Sequence, residues 1–409
     1  MKLKPFATAV FVLFITSLLG FLIIPDATIY VDEFVHHDVA QSFCHLQPDI
    51  SPNLTNIPAY HALIGGVCYL GSWITPLDSL ASIRIISLVF SLLGVYIFYL
   101  LAQELKHKNS GLKTLQFFFL PIALPFYFFV YTDIPALTIV LAAFYLVIKK
   151  RYHWAGVLAT LSVAFRQNNI VWLGWLAFFI FLEEIWPKIN FKTLWQYLKQ
   201  VWIFILGIIA FAGFIYWNGG ISLAKAEEWA HPSFSLYLGN VYLMLITFTI
   251  IFWPLELDLV KKLNQLWQNK WRLGGFMVTV LGLFVTYQNS FTNSHPYNQH
   301  TFALHNLILV KITENPTLKL IAFIPIVLAV LVLFTRRLRK PKYGWFYLFA
   351  VLFVLPSWLI EPRYFFLPFA LYLLFREKVD LKTEWRLIVW EVVLALSLFG
   401  GTITKNIFP

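Results

Sequence analysis

FATAVFVLFITSLLGFLII, residues 6–24, is an uncharged apolar run, and Tyr30-Val31-Asp32-Glu33 follows it almost at once. At 1.5 Å per residue such a run is long enough to cross the roughly 30 Å hydrocarbon core of a bilayer as a helix. Two acids therefore stand where a first membrane span ends. No small-residue cleavage site follows the run, so it reads as a retained anchor rather than a secretory signal.

The rest of the chain agrees with that start. Of its 409 residues, 59% are hydrophobic and only 12% charged, far from the balance of a soluble domain. Apolar stretches recur with no period-2 alternation, which excludes a β-barrel and leaves an all-α, polytopic helical bundle. Spans are expected near 6–24, 80–104, 114–131, 133–149, 154–165, 169–184, 201–217, 237–255, 274–288, 317–335, 344–360, 363–375 and 387–404. The expectation is eleven to thirteen membrane helices, with a helical first outer loop over about 25–79. No linker or low-complexity segment separates a soluble part, so 1–409 reads as one domain.

Charge gives the orientation. With the N-terminus inside, alternate loops hold 24 of the 31 Lys and Arg, and one orientation fits every loop. The net charge of +11 is thus mainly a topology signal, and nucleic acid is not an expected partner. The remaining basic residues, Arg84, Arg166, Lys225, Lys311, Lys319, Arg363 and Lys405, fall on the opposite face or at span ends. Cys44 and Cys68 both lie on the outer side, where a disulfide is chemically permitted, although nothing in the sequence pairs them.

Ionisable groups at membrane depth are costly, so their placement is informative. They gather on the outer face: Asp32, Glu33, His36, His37 and Asp38; Asp133; Arg166-Gln167-Asn168-Asn169; Asn218 to His231; His295 to His305 with His300; and Glu361 with Arg363 and Tyr364. If the first loop is helical, Asp32 shares a face with His36, and Glu33 with His37. That spacing suits a general base and its orienting imidazole, or two ligands of a metal whose third and fourth ligands are not evident. A solvated first helix turn whose acids favour the dipole explains the same pattern. For Phe165 to Asn169 the bland reading is an outer turn, and for Glu361-Pro362-Arg363-Tyr364 a salt-bridged structural turn. Arg166 and Arg363 can grip a phosphate with their planar forks, and His300 can add a hydrogen bond. A carboxylate near phosphate-binding cations at a membrane surface suits transfer of a sugar from a polyprenyl phosphate to a hydroxyl.

Tyr30-Val31-Asp32-Glu33-Phe34-Val35-His36 with Ala40-Gln41 and Cys44 resembles the first-loop signature of the endoplasmic reticulum alpha-1,2-glucosyltransferases that use dolichyl phosphate glucose. Tyr131-Thr132-Asp133, Phe165-Arg166-Gln167-Asn168-Asn169-Ile170 with Trp172, and Glu361 with Arg363-Tyr364-Phe365 and Leu367-Pro368 resemble that family's later motifs in order. The resemblance implies a GT-C type fold, an inverting transfer of glucose to a lipid-linked oligosaccharide, and an outer-face site. It implies a lipid-phosphate sugar as substrate, with no cofactor and no metal. The implied membrane is that of the endoplasmic reticulum, or the plasma membrane of a bacterium. Asp32 is expected as the base with Glu33 as its rival and His36 orienting whichever serves. Arg166, Arg363 and His300 are expected at the donor phosphate. Gln167, Asn168, Asp133, His231, His295, Glu361 and Tyr364 are expected against substrate. The chain departs from the family pattern at Asn218-Gly219-Gly220, where a following acid is missing, and at Tyr297-Asn298-Gln299-His300-Thr301-Phe302, which lacks an Asp and an Arg. These departures leave open another glycan acceptor, for instance a bacterial one. A transporter or channel subunit is the rival from a different class and predicts charges midway through spans. A non-enzymatic assembly subunit gives no reason for Asp32, Arg166 and Arg363 to share a face.

Overall fold

The structure, a computed structural model, describes residues 5–26, 28–71, 73, 76–223, 236–257 and 259–409. It divides into two compact units, residues 1–114 with 126–233 and residues 115–125 with 234–409. Among the described residues the chain is helical, and its only strand-like feature is a single bridge between Leu338 and Arg376. Among the described residues five helical segments, Pro5–Ile23, Leu80–Glu104, Phe191–Asn218, Pro316–Thr335 (two helices in close succession) and Leu381–Ile403, are long and apolar enough to cross a membrane, and further apolar helices are shorter. The protein is a multi-pass helical membrane protein.

The first unit contains α1 (Pro5–Ile23), α2 (Glu33–Cys44), α3 (Ala59–Gly71), α4 (Leu80–Glu104), most of α5 (Ser110–Phe118), α6 (Asp133–Ile148), α7 (Tyr152–Phe165), α8 (Ile170–Glu184) and α9 (Phe191–Asn218). Helices α4, α6, α7 and α9 pack in sequence, each on the next. The loop helices α2 and α3 lie against α4, and α3 also against α7. Burial explains that placement: Ala40 of α2 and Tyr60, Ile64 and Cys68 of α3 join Ile83, Ile86, Ala136, Ile139 and Phe165 in one apolar cluster. The loop helices are themselves bonded to each other by a Cys44–Cys68 disulfide, which sequence reasoning left open. Their close approach needs Gly65, where an added Cβ would stand 2.5 Å from Cβ of Phe43.

At one end of this unit Lys149 meets Glu104 at 2.5 Å and Lys150 meets Glu184 at 2.9 Å. Lys149 and Lys150 lie in a loop expected on the inner face, and Glu104 and Glu184 are the last residues of α4 and α8. The end of α1 and the starts of α4 and α6 lie at the other end, with the loop helices.

The second unit contains α10 (Gly239–Ile251), α11 (Leu259–Trp267), α12 (Lys270–Ser290), α13 (Leu304–Glu314), α14 (Pro316–Ile321), α15 (Phe323–Thr335), α16 (Trp345–Val354), α17 (Phe366–Phe375) and α18 (Leu381–Ile403). Helix α10 packs on α15, and α15 on α12 and α11. A buried ion pair between Arg376 and Glu384 at 2.6 Å, shared with Gln116, ties the end of α17 to the start of α18.

The expected span at 317–335 is interrupted at Ala322, the helix of the one at 344–360 ends at Val354, and the one at 114–131 differs most. Residues 114–131 do not form a continuous helix: α5 stops at Phe118, and the chain continues through turns and a short 3₁₀ segment at Pro125–Tyr127. Pro121 and Pro125 lack the N–H that a helix interior requires. The stretch is as buried as a span, with Leu120, Ala123 and Leu124 at 0% exposure, so its hydropathy matches one while its backbone does not. Irregular backbone at membrane depth is tolerated when protein surrounds it.

Candidate active site

The two adjacent acids have opposite environments. Glu33 opens α2 and is fully buried. Its Oε1 accepts from Arg84 Nε at 2.9 Å and from the Val130 N–H at 3.0 Å. Its Oε2 accepts from an Arg84 terminal nitrogen at 2.6 Å and from the Tyr30 N–H at 3.1 Å. Four donors occupy a carboxylate that offers about four lone-pair sites, which leaves none of them free for a substrate hydroxyl. Asp32, the residue before it, is only half-buried and makes no side-chain cap hydrogen bond with the helix it precedes.

Arg84 was not among the residues sequence reasoning selected. It sits in the first turns of α4, whose start is set by Ser79 accepting from the Ser82 N–H. A lone cation in an apolar run on the outer side was the available signal, because such a charge requires a partner at that depth.

His36 is buried, and its Nδ1 lies 3.0 Å from Nε2 of His61 on α3, the two rings stacked at 5.2 Å. His61 is a second residue that the sequence did not mark. Burial, with the neighbouring His36, holds its imidazole well below the ordinary histidine range, so it is neutral at physiological pH. His37 meets Asp38 at 3.3 Å. Among the described residues no three His, Cys, Asp or Glu side chains gather as a metal site requires.

The same end of this unit holds the other predicted polar residues of its helices. Asp133 begins α6 and Arg166 ends α7, and the two form an ion pair. Both are largely buried, and Oδ2 of Asp133 has no hydrogen-bond partner. Gln167 donates to the Thr55 carbonyl at 2.9 Å and the Ile221 carbonyl at 3.3 Å, so it fastens loops. Asn169 donates to the Ser162 carbonyl. Asn168 is half-buried, with its Oδ1 enclosed and unpartnered. Asn56, from the first loop, donates to Thr132 Oγ1 at 3.2 Å. The structure therefore brings together Asp32, Glu33, His36, Asp133, Arg166, Gln167 and Asn168 at one end of the first unit.

The second unit carries a separate polar group. Glu361 and Arg363 form an ion pair. The Glu361 N–H donates to Asn240 Oδ1 at 2.9 Å, and Asn240 in turn donates to the Ser357 and Leu359 carbonyls. His305, on a helix outside the spans, feels the same cation: burial first, then the Arg363 charge, lower its imidazole to about 4. Tyr364 is half-buried beside Arg363 in the chain. His295 is buried, accepts from the Tyr297 N–H at 3.2 Å and packs edge-on against Trp358, contacts that shape its own turn. His300 is exposed, with Phe302 as a ring neighbour at 6.3 Å. His231 lies outside the described residues.

A multi-pass helical bundle with an acid doublet clamped to the end of its first span defines the class of this protein. The chain belongs to the DIE2/ALG10 family, whose model matches residues 26–190 and 178–374. Among curated proteins it is similar to the Dol-P-Glc:Glc(2)Man(9)GlcNAc(2)-PP-Dol alpha-1,2-glucosyltransferase of Mus musculus, 24% identical over 404 residues that cover 84% of this chain and 83% of the relative. The protein of the same description from Debaryomyces hansenii is 24% identical, over 91% of this chain and 88% of its own length. The one from Arabidopsis thaliana is 24% identical over 86% of both. No solved structure matches the chain.

Proposed function

We propose that this protein transfers glucose from dolichyl phosphate glucose to a hydroxyl of a lipid-linked oligosaccharide, with inversion to an alpha-1,2 linkage, at the lumenal face of the endoplasmic reticulum membrane. Family membership and the names of the relatives support the activity. The observation that carries the residue assignment is the division of labour between the acids: Glu33 is consumed by Arg84 and two backbone N–H groups, while Asp32 stays half-buried beside it.

Asp32 takes the proton of the acceptor hydroxyl as its oxygen forms a bond to the anomeric carbon. The bond from that carbon to the phosphate oxygen breaks on the opposite face, and the lipid phosphate leaves with the electron pair. Positioned base catalysis supplies roughly 10² to 10⁴, so orientation and stabilisation of the departing phosphate must provide the rest. Arg166 is the hydrogen-bond donor to the sugar donor's phosphate that we assign in the first unit, with Asp133 fixing its fork. Arg363 and His300 of the second unit are proposed for the phosphate from their sequence pattern alone. The chemistry assigned here needs no cofactor.

A second reading, the same chemistry on another glycan, is favoured by the departures at Asn218-Gly219-Gly220 and at Tyr297 to Phe302. The test is transfer of radiolabelled glucose from short-chain dolichyl phosphate glucose by the purified protein, with Asp32→Asn in parallel. Transfer to the diglucosylated lipid-linked oligosaccharide, lost at least about a hundredfold in Asp32→Asn, is the expected result. Transfer confined to other acceptors selects the second reading, and an active Asp32→Asn removes the base assignment.

A further inference from the structure

We propose that Arg84 is a positioning residue for the Asp32 carboxyl, acting through Glu33 and a left-handed turn at Val31. The inference rests on Asp32 being the base of the proposed reaction.

Val31 has φ 45°. A β-branched residue in this region crowds its own Cβ against the backbone, so surrounding contacts must impose the conformation. The imposing contacts are all present. The Glu33 N–H donates to the Tyr30 carbonyl at 2.9 Å, closing a four-residue turn with Val31 and Asp32 at its centre. The Tyr30 N–H returns to Glu33 Oε2, so both ends of the turn are held by one residue. The Asp32 N–H donates to the Tyr131 hydroxyl at 3.0 Å, and that hydroxyl donates to the Tyr30 carbonyl at 2.9 Å. Peptide groups on both sides of Asp32 are thereby fixed, and with them the direction in which its Cβ leaves the chain.

Arg84 is the post to which this frame is tied. Beyond its two bonds to Glu33, one terminal nitrogen donates to the Ile23 carbonyl at 3.1 Å and the Asp26 carbonyl at 2.5 Å, and the other to the Thr28 carbonyl at 2.6 Å. Five hydrogen bonds match the five N–H donors of a guanidinium. A neutralising cation would need only the two to Glu33. The other three grip the end of α1 and the segment leading into the turn, so one side chain registers the exit of the first span, the acid turn and α4. Lysine has the charge but not the planar fork, and cannot make these five contacts at once.

The experiment compares Arg84→Lys, Tyr131→Phe and Asp32→Asn with the native full-length protein in detergent, measuring the melting midpoint and the kcat and KM of glucosyl transfer from short-chain dolichyl phosphate glucose to the acceptor that the native protein uses. A misplacement on the order of 1 Å costs up to about a hundredfold, so Arg84→Lys is expected to fold, to lose about tenfold to a hundredfold in kcat, and to keep its KM for the donor within about twofold. A folded Arg84→Lys with native kcat, or with its loss confined to KM, overturns the positioning role while an inactive Asp32→Asn leaves the base in place. An active Asp32→Asn, or a native protein that transfers nothing, overturns the base and this inference with it. If Arg84→Lys does not fold, Tyr131→Phe decides: it removes only the hydroxyl between Asp32 and Tyr30, and a kcat loss at unchanged KM supports the frame whereas a native kcat overturns it.

Discussion

Removing the Glu33 carboxylate should damage the fold, whereas neutralising the carboxylate next to it should damage only the reaction. Glu33→Ala strands Arg84 at 0% side-chain exposure with two of its five donors unpaired, and also orphans the Tyr30 and Val130 N–H groups. Breaking a buried ion pair by deleting one partner costs about 3–5 kcal/mol, because the remaining charge keeps its desolvation penalty without compensation. If unfolding entropy scales at roughly 2 cal/mol/K per residue over a chain of 409, that loss lowers the melting midpoint by about 3–6 °C. The pair is sealed from solvent, so the shift should change little between low and high salt. Asp32→Asn, a change of nearly equal size and shape at a half-buried position, should move the midpoint by about 1 °C or less. The assay is intrinsic tryptophan fluorescence of the detergent-purified protein during a thermal ramp. Equal midpoints for Glu33→Ala and the native chain would refute the assignment of Glu33 to structure, and so would a shift that salt abolishes.

Two other consequences are open to the same measurement. Gly65→Ala places a Cβ 2.5 Å from Cβ of Phe43 and 2.9 Å from its carbonyl group, partly backbone that cannot swing aside, so α3 must shift from α2 at a cost of about 1–3 kcal/mol, read as a lowered midpoint. A native midpoint would mean that the two loop helices separate freely. His305 is neutral in the folded protein down to about 4, whereas it protonates near 6.5 when unfolded. The unfolded chain therefore binds the extra proton in that window; the stability is fully present above about 6.5 and is lost as pH falls towards about 4. His305→Gln should flatten the midpoint between those pH values, and an unchanged acid slope would contradict it.

The spans were legible because uncharged runs of helix length have few alternatives in a chain of this composition. Their ends were legible because basic residues mark one side: Lys149 and Lys150 do meet acids at one end of the first unit, while Asp32, Asp133 and Arg166 collect at the other. Hydropathy could not foresee that 120–130 is irregular, since it reports burial and says nothing of backbone conformation unless the prolines at 121 and 125 are given their weight. Polar residue types were legible as well, but partners were not. Nothing local to Arg84 names Glu33, 51 residues away, and nothing local to His36 names His61. Both pairings are made by the apolar cluster that seats α2 and α3 on α4, a tertiary fact without sequence period. Gln167 and His295 carry the same lesson, since the hydrogen bonds that made them candidates are spent on loop carbonyls and on a turn N–H.

The acid doublet shows why one of its members cannot serve without the other. Side chains of consecutive residues in a helix diverge by about 100°, so Glu33 can point inward to Arg84 only if Asp32 points elsewhere. Burying Glu33 is expensive on its own, and the cost is offset by the guanidinium and two backbone N–H groups that it organises. Those same bonds force Val31 into a conformation it would not choose and fix the peptide that carries Asp32. A single acid at the end of the first span would lack that frame, and its carboxyl would sample the directions open to a loop. The buried member thus contributes geometry and the half-buried member chemistry, so Asp32→Asn should cost turnover at native stability whereas Glu33→Ala should cost both.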